Sequence, residues 1–251
     1  ATITGVDDDI IDGSQTSTIT VSVDDANSDD DFDAAADQTV SVSTTDDDVA
    51  GFTVTETEGS TGVDESGTTD TITVVLDAQP TSDVVIAIIS SDTSETAVNG
   101  STANNNSLTF TSANWDTAQS FTVTGADDDL VDGTVNSTLT ISVVDALSDN
   151  GFDAVADQTV TASTTDDDVA GFTIVELEGS TAVDESGDTD TFTVVLDAQP
   201  TSDVVITIVS SDTGEATVTS TLTFTPANWD TPQIATITGV DDDIIDGSQT
   251  S

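Results

Sequence analysis

Thr138-Leu139-Thr140-Ile141-Ser142-Val143 sets an apolar side chain at every second position, with a hydroxyl residue between each pair. A period of two is the mark of a strand with one face in a core and the other in water. Thr71-Ile72-Thr73-Val74 and Phe121-Thr122-Val123-Thr124 alternate in the same way, while Val84 to Ile89 is more continuous, as a central strand would be. Thr and Val are both β-branched and favour strands. Clusters of Gly, Asp, Asn and Pro separate these runs at sandwich-like intervals, and no stretch keeps a helical period over two turns. The expected fold is all-β, built from antiparallel β-sandwiches of about seven strands each.

Outward from these strands, the composition limits the chemistry. The chain has 251 residues, 50 Asp+Glu and no Lys, Arg or His, so its formal charge is −50. Without cations there is no footprint for phosphate, which excludes nucleic acid as a partner, and an anionic membrane surface would repel the chain. Without His or Cys there is no catalytic triad, thiol nucleophile or ordinary zinc site. The expectation is therefore not an enzyme. A glycosidase-type carboxylate pair would need one acid raised in a cleft, whereas these acids crowd together on loops. No apolar run is long enough for a membrane span. High charge with 4% aromatics resembles disorder, but the 35% of apolar residues are patterned rather than scattered.

The chain is a repeat. Asp46-Asp47-Asp48-Val49-Ala50-Gly51-Phe52 returns 120 residues later as Asp166 to Phe172, and Ala78-Gln79-Pro80-Thr81-Ser82-Asp83 returns as Ala198 to Asp203. Asn114-Trp115-Asp116 returns 114 residues later, the difference lying in the Asn-rich stretch Asn99 to Ser107, which marks a solvent loop. Residues 1–17 recur unchanged as residues 235–251. Residues 49–168 read as one complete sandwich repeat, residues 1–48 as the C-terminal part of another, and residues 169–251 as the N-terminal part of a third, in a linear array. Either the chain is a window on a longer tandem array, or separate chains complete each other head to tail.

Strand direction sorts the acids. With a first strand from Phe52 through Asp64-Glu65 taken as upward, the following runs are Thr71–Asp77, Asp83–Ser90, Leu108–Thr111, Gln119–Gly125, Ser137–Asp145 and Gln158–Thr164. Alternation then puts Asp64-Glu65, Asp92, Glu95, Asp127-Asp128-Asp129, Asp132 and Asp166-Asp167-Asp168 at one end, facing the base of the next repeat. Like charges about 4 Å apart repel by ~1 kcal/mol even in water and by several at protein dielectric, and no basic side chain offsets this. Ca²⁺, a hard cation taking ~6–8 oxygen ligands, is the expected occupant, ahead of Mg²⁺ with its strict octahedral demand.

Asp127-Asp128-Asp129-Leu130-Val131-Asp132, Val63-Asp64-Glu65-Ser66-Gly67, Ser91-Asp92 and Thr165-Asp166-Asp167-Asp168-Val169-Ala170-Gly171-Phe172 are similar to the Calx-β domain, as is Leu222-Thr223-Phe224-Thr225-Pro226-Ala227-Asn228-Trp229-Asp230, common in large bacterial surface proteins with such repeats. The resemblance implies an Ig-like sandwich and Ca²⁺ ligation by Glu65, Asp92, Asp127, Asp128, Asp132 and Asp166, Asp167 and Asp168. Asp129 joins them as part of its triplet. The flanking copies carry the same positions as Asp7, Asp8, Asp9, Asp12, Asp46, Asp47 and Asp48, and as Glu185, Asp212, Asp241, Asp242, Asp243 and Asp246. The family's exchanger members have a further Glu where this chain has Val135, leaving one to four ions per junction.

The remaining features have plainer readings. The Asp triplets do not follow EF-hand spacing, because Ile11, Val131 and Ile245 occupy its third acidic position. Glu56, Glu58, Glu176 and Glu178 fit an exposed strand face as well as ligation. Trp115 and Trp229 read as packing at a turn rather than as sugar platforms. Asp149 and Asp153 read as an ion site or an acidic turn. Asn99, Asn105 and Asn136 fit the N-glycosylation pattern. The functional expectation is a structural segment of an extracellular repeat protein, an adhesin stalk or surface filament stiffened by Ca²⁺ at its junctions. Its partners would be neighbouring repeats of the same or identical chains. The alternative is a ligand- or glycan-binding surface module using the variable loops.

Overall fold

The computed structural model describes residues 1–100, 106–177, 179–244 and 247–248. The chain divides into two compact units, the first formed by residues 1–63, 69–124 and 137–162 and the second by residues 64–68, 125–136 and 163–251.

The first unit opens with β1 (Gln15–Val21) and β2 (Gln38–Thr44), an antiparallel pair in register from Gln15 opposite Thr44 to Val21 opposite Gln38. Two 3₁₀ turns, Asp25–Asn27 and Asp30–Phe32, connect them. Then follow β3 (Phe52–Glu56), β4 (Thr61–Asp64), β5 (Thr69–Leu76), β6 (Val84–Ser90), β7 (Thr96–Gly100), β8 (Ser107–Phe110), β9 (Gln119–Gly125), β10 (Val135–Val143) and β11 (Gln158–Thr165). They make a four-stranded sheet, β3-β5-β9-β7, and a five-stranded sheet, β4-β11-β10-β6-β8. Inward residues of both sheets, among them Phe52, Ile72, Val74, Phe121, Ile86, Phe110 and Leu139, meet in one buried core. This is an antiparallel β-sandwich, as the alternating runs require. Trp115 packs against the edge of that core.

The sandwich has nine strands rather than about seven, for two physical reasons. The run from Phe52 to Glu65 does not form one strand: Glu58 has φ 58° and Gly59 φ 82°, and this left-handed pair turns the chain so that β3 and β4 enter different sheets. In addition, Thr96–Gly100, part of which reads as loop from its Asn content, pairs as an edge strand. The glycosylation patterns beginning at Asn99 and Asn105 lie partly outside the described residues.

The second unit holds β12 (Phe172–Glu176), β13 (Thr189–Leu196), β14 (Val204–Thr207), β15 (Ala216–Val218), β16 (Thr221–Phe224) and β17 (Gln233–Gly239). The sheets are β12-β13-β17-β15 and β14-β16. They repeat the first unit's β3-β5-β9-β7 and β6-β8, with a smaller core of Val194, Leu196, Leu222, Phe224 and Ala235 against which Trp229 packs. Among the described residues no helix is long and apolar enough to cross a membrane.

Candidate metal centre

Three loops of the second unit carry Asp64-Glu65, Asp127 to Asp132 and Asp166 to Asp168. Asp64 to Thr68 is a tight turn: the Asp64 carboxylate accepts hydrogen bonds from the Ser66 amide (3.0 Å) and the Thr165 hydroxyl (3.0 Å), and the Gly67 amide donates to the Asp64 carbonyl. The Ser66 hydroxyl also donates to Asp64, so that, with the Thr165 contact, its carboxyl is held below the ordinary range. With the Glu65 amide donating to the Thr165 carbonyl at 3.0 Å, the Glu65 side chain is fixed inward and is only 1% exposed. Asp64 thus positions Glu65, a role the sequence signals only through an Asp two residues before the amide it caps.

Residues 166–168 close against the same point. Asp166 Oδ2 accepts from the amides of Asp132 (3.0 Å) and Gly133 (2.7 Å), and its Oδ1 accepts from the amide of Asp168 (2.7 Å). The Gly133 amide is the largest influence lowering the Asp166 carboxyl; partial burial opposes it, and the amides of Asp168 and Asp132 add to it. Gly133 can present its amide this way because its φ is +80°. Asp166 therefore ties the Asp127–Gly133 loop to the strand end rather than reaching out as a free ligand. Asp168 is its opposite: burial first, then the negative charges of Asp166, Asp129, Asp167 and Asp128, push its carboxyl above the ordinary range. Its Oδ2 is buried and has no hydrogen-bond partner.

Carboxylate oxygens of Glu65, Asp167 and Asp168 all lie within 4.8 Å of one another. Ligands 2.3–2.6 Å from one Ca²⁺ are separated by up to about 5 Å, so this trio fits a single ion without rearrangement. The chain has no Lys, Arg or His to take that role. A hard, oxygen-only donor set with one buried acid, and one acid raised first by burial and then by its neighbours, is of the kind that holds a hard cation.

The other candidates are distributed as follows. Asp128 and Asp129 lie close enough to act on Asp168, with Asp128 Oδ1 also capping the Leu130 amide (2.7 Å), while Asp127 and Asp132 are exposed. In the first unit, Asp92 accepts from both the Ser94 hydroxyl (2.6 Å) and amide (3.1 Å), which lower its carboxyl. Glu95, nearby in sequence, is buried. The first unit also carries the earlier copy of the Asp arrangement. Asp46 Oδ2 accepts from the amides of Asp12 and Gly13, and Asp48 is raised first by burial and then by Asp46, Asp47, Asp9 and Asp7. Asp8 caps the Ile10 amide at 3.0 Å. In the second unit, Asp242 caps the Ile244 amide, Glu185 and Asp212 are exposed, as are Asp241 and Asp243, and Asp246 lies outside the described residues, as does Glu178. Glu65 is buried and Glu185 is exposed although the surrounding sequence is nearly the same. Glu65 has the Thr165–Asp168 segment beside it, and no described segment stands in that place beside Glu185.

Asp149 does not join these acids. In the first unit its Oδ2 accepts from the Thr81 amide (2.8 Å), the Thr81 hydroxyl (2.6 Å) and the Ser82 amide (2.8 Å), and its Oδ1 from the Gly151 amide (2.9 Å). Burial alone would raise its carboxyl, but the four hydrogen bonds outweigh it and leave it lowered. Asp149 is a fastening of the sandwich base, beside the fully buried Phe152.

Main-chain seams accompany both Asp runs. In the first unit Ile10 and Gln79 form an isolated parallel bridge, the Gln79 amide donating to the Asp9 carbonyl (2.6 Å) and the Ile11 amide to the Gln79 carbonyl (3.2 Å). In the second unit Leu130 and Gln199 do the same, at 2.6 Å to Asp129 and 3.1 Å from Val131.

No family model matches the chain, and no curated protein matches it. Solved structures similar to it include the apo-form Calx CBD1 domain, at 16% identity and a TM-score of 0.32, covering 47% of this chain and 98% of that one. CBD12 from CALX1.2 has 15% identity and a TM-score of 0.30 over 76% of each chain. Domains 4–9 of the surface layer protein SbsC have 13% identity and a TM-score of 0.31, over 82% of this chain and 29% of that one. The sandwich assignment rests on the sheet order and core described above.

Proposed function

We propose that this chain is a structural segment of an extracellular repeat protein, a stalk or surface filament, whose successive sandwiches are fastened by Ca²⁺ held at Glu65, Asp167 and Asp168, with Asp128 and Asp129 contributing charge. The observation that carries this reading is Asp168. Its carboxyl is raised first by burial and then by four neighbouring acids, beside the buried Glu65, in a chain with no basic side chain. Such an arrangement is unfavourable when fully ionised, and a divalent cation relieves it. An ion bound only by the folded arrangement adds about 2.7 kcal/mol of stability at a hundredfold excess over its Kd. Extracellular modules bind Ca²⁺ at about 10⁻⁴–10⁻³ M, so the ion would be loaded outside a cell.

The test is a thermal melt of the wild-type chain and of the Asp167→Asn, Asp168→Asn double variant, each in EGTA and in millimolar Ca²⁺. Ca²⁺ should raise the Tm of the wild type and leave the double variant unmoved. Small-angle scattering of the wild type should also change on chelation. Identical melts and scattering profiles with and without Ca²⁺ would refute the proposal.

A further inference from the structure

Asparagine or aspartate followed by glycine is a chemically labile pair, because a glycine nitrogen with no Cβ beside it is free to attack the preceding side-chain carbonyl carbon. Three of the chain's pairs of this kind share one contact. The Gly13 amide donates to Asp46 Oδ2 at 2.6 Å, the Gly133 amide to Asp166 Oδ2 at 2.7 Å, and the Gly151 amide to Asp149 Oδ1 at 2.9 Å. The residues before these glycines are Asp12, Asp132 and Asn150. At Gly13 and Gly133 the backbone is left-handed, with φ of 70° and 80°, so the turn itself favours glycine and the labile pair comes with it.

The Asn150–Gly151 peptide is pinned on both sides. Its N–H donates to Asp149, and its carbonyl accepts from the Asp153 amide (3.4 Å) across the 3₁₀ turn Asn150–Phe152. Asp149 is in turn anchored through Oδ2 to Thr81 and Ser82, while Asn150 and Gly151 are both exposed to water. Ring closure needs two things that this turn denies. The peptide would have to rotate to bring the Gly151 nitrogen against Asn150 Cγ, and the nitrogen would have to lose its proton. A carboxylate on that N–H opposes the second step, because it sets a negative charge beside the anion that would form. In the earlier copy Asp29-Asp30-Asp31 stands at this place, with Asp29 Oδ1 accepting from the Asp31 amide at 3.0 Å, so the turn accommodates an aspartate at the position of Asn150.

We propose that Asn150-Gly151 is a latent site of spontaneous covalent modification held shut by the Asp149 carboxylate, and that Asp46 and Asp166 hold Asp12-Gly13 and Asp132-Gly133 shut in the same way. When the clasp opens, the Gly151 nitrogen gives its proton to water or hydroxide and bonds to Asn150 Cγ. The side-chain nitrogen takes a proton from water and leaves as ammonia. The succinimide so formed adds one water at either ring carbonyl: opening one way gives aspartate, and opening the other gives isoaspartate, whose main chain runs through Cβ and Cγ. One water is consumed and one ammonia released. At Asp12 and Asp132 the leaving group is water, which ring opening returns, so the net change there is isomerisation alone. The aspartyl product at position 150 is the residue the earlier copy already carries. The isoaspartyl product lengthens the main chain between Asp149 and Gly151 and unseats the turn that holds the fully buried Phe152. Modification at Asn150 therefore records how often the base of the sandwich has opened. No ion takes part, so the proposal stands apart from the metal reading.

The test incubates the full chain at mildly alkaline pH, in buffer and in urea, then digests it with a protease that cuts at apolar residues. Mass spectrometry separates the asparaginyl, aspartyl and isoaspartyl peptides. Asn150 should convert faster in urea than in the folded wild type, on the order of tenfold or more, the effect of losing one charge-assisted hydrogen bond. Asp149→Ala should approach the urea rate while still folded. Leu139→Ala removes a buried side chain of the same sandwich but leaves the clasp, and should stay near the wild-type rate. Isoaspartate at Asp12 and Asp132 should likewise form faster in urea than in the folded chain. A further measurement needs no variant. Across urea concentrations below the unfolding transition, conversion of Asn150 should rise in step with hydrogen exchange at the Gly151 amide, since both require the clasp to open. If Asp149→Ala does not fold, this comparison decides alone. The proposal is overturned if folded wild type converts as fast as the chain in urea, or if folded Asp149→Ala converts no faster than wild type. Equal acceleration by Leu139→Ala and Asp149→Ala, or conversion that ignores Gly151 exchange, would also overturn it.

Discussion

Asp166 and Asp168 are two residues apart and of one chemical type, yet their environments set them in opposite directions. Asp166 is lowered by amide donors, so its contribution to folding is complete above the unfolded value of about 3.9 and is lost as pH falls through its lower folded value. Asp64, Asp92 and Asp149 have the same sign. Asp168 is raised, so its protonated form favours folding, and that contribution is lost as pH rises through its folded value. In EGTA the melting temperature should therefore climb as pH is lowered from neutrality toward the ordinary carboxylate range, then drop below about pH 4. Asp48 is raised in the same way, so Ca²⁺ should flatten the upper limb alone, and calorimetry across pH would show a single monotonic fall if Asp168 and Asp48 were both unimportant. Asp149→Ala strands the amides of Thr81 and Ser82 and should cost about 2–3 kcal/mol by urea denaturation. Phe152→Ala should cost about 3–5 kcal/mol, whereas Phe32→Ala should stay within about 0.5 kcal/mol in dilute protein, because only the first is enclosed.

At the scale of elements, alternation in sequence was enough to locate most strands, since a period of two has one simple interpretation. β9 falls at Gln119–Gly125, and β11 extends one residue beyond the expected Gln158–Thr164. The break between β3 and β4 was harder to read. Thr55-Glu56-Thr57-Glu58-Gly59 continues the polar alternation, and only the positive φ at Glu58 and Gly59 reveals that the chain changes sheets. β7 has a single buried aliphatic, Val98, too little for a pattern. Glu65 was legible as a candidate through the alternation of strand direction and the resemblance carried by Val63–Gly67. Its burial was not, since that depends on the distant segment Thr165–Asp168. Gly125 ends β9 where a Cβ would collide with the Asp64 backbone, directly under the Glu65 turn. Gly125→Ala should therefore destabilise by about 1–3 kcal/mol and weaken Ca²⁺ binding together with stability, which a combined melt and ion titration would register.

For the whole molecule, the same sequence appears in a closed setting and in an open one, and burial follows the setting. Val84, Ile86 and Ile88 are fully enclosed, while Val204, Ile206 and Ile208 are only partly so. Hydrogen–deuterium exchange should accordingly protect β6 more strongly than β14. The two Gln-centred bridges have a different kind of consequence. Ile10-Ile11 at one and Leu130-Val131 at the other differ in side chain, yet the backbone bonds around Gln79 and Gln199 agree to within 0.1 Å. A join written in main-chain atoms tolerates mutational drift at nearly every position. Substitutions could change the outer faces of each unit and keep its bridge, with proline at Gln199 or Val131 among the few changes that would erase the one in the second unit.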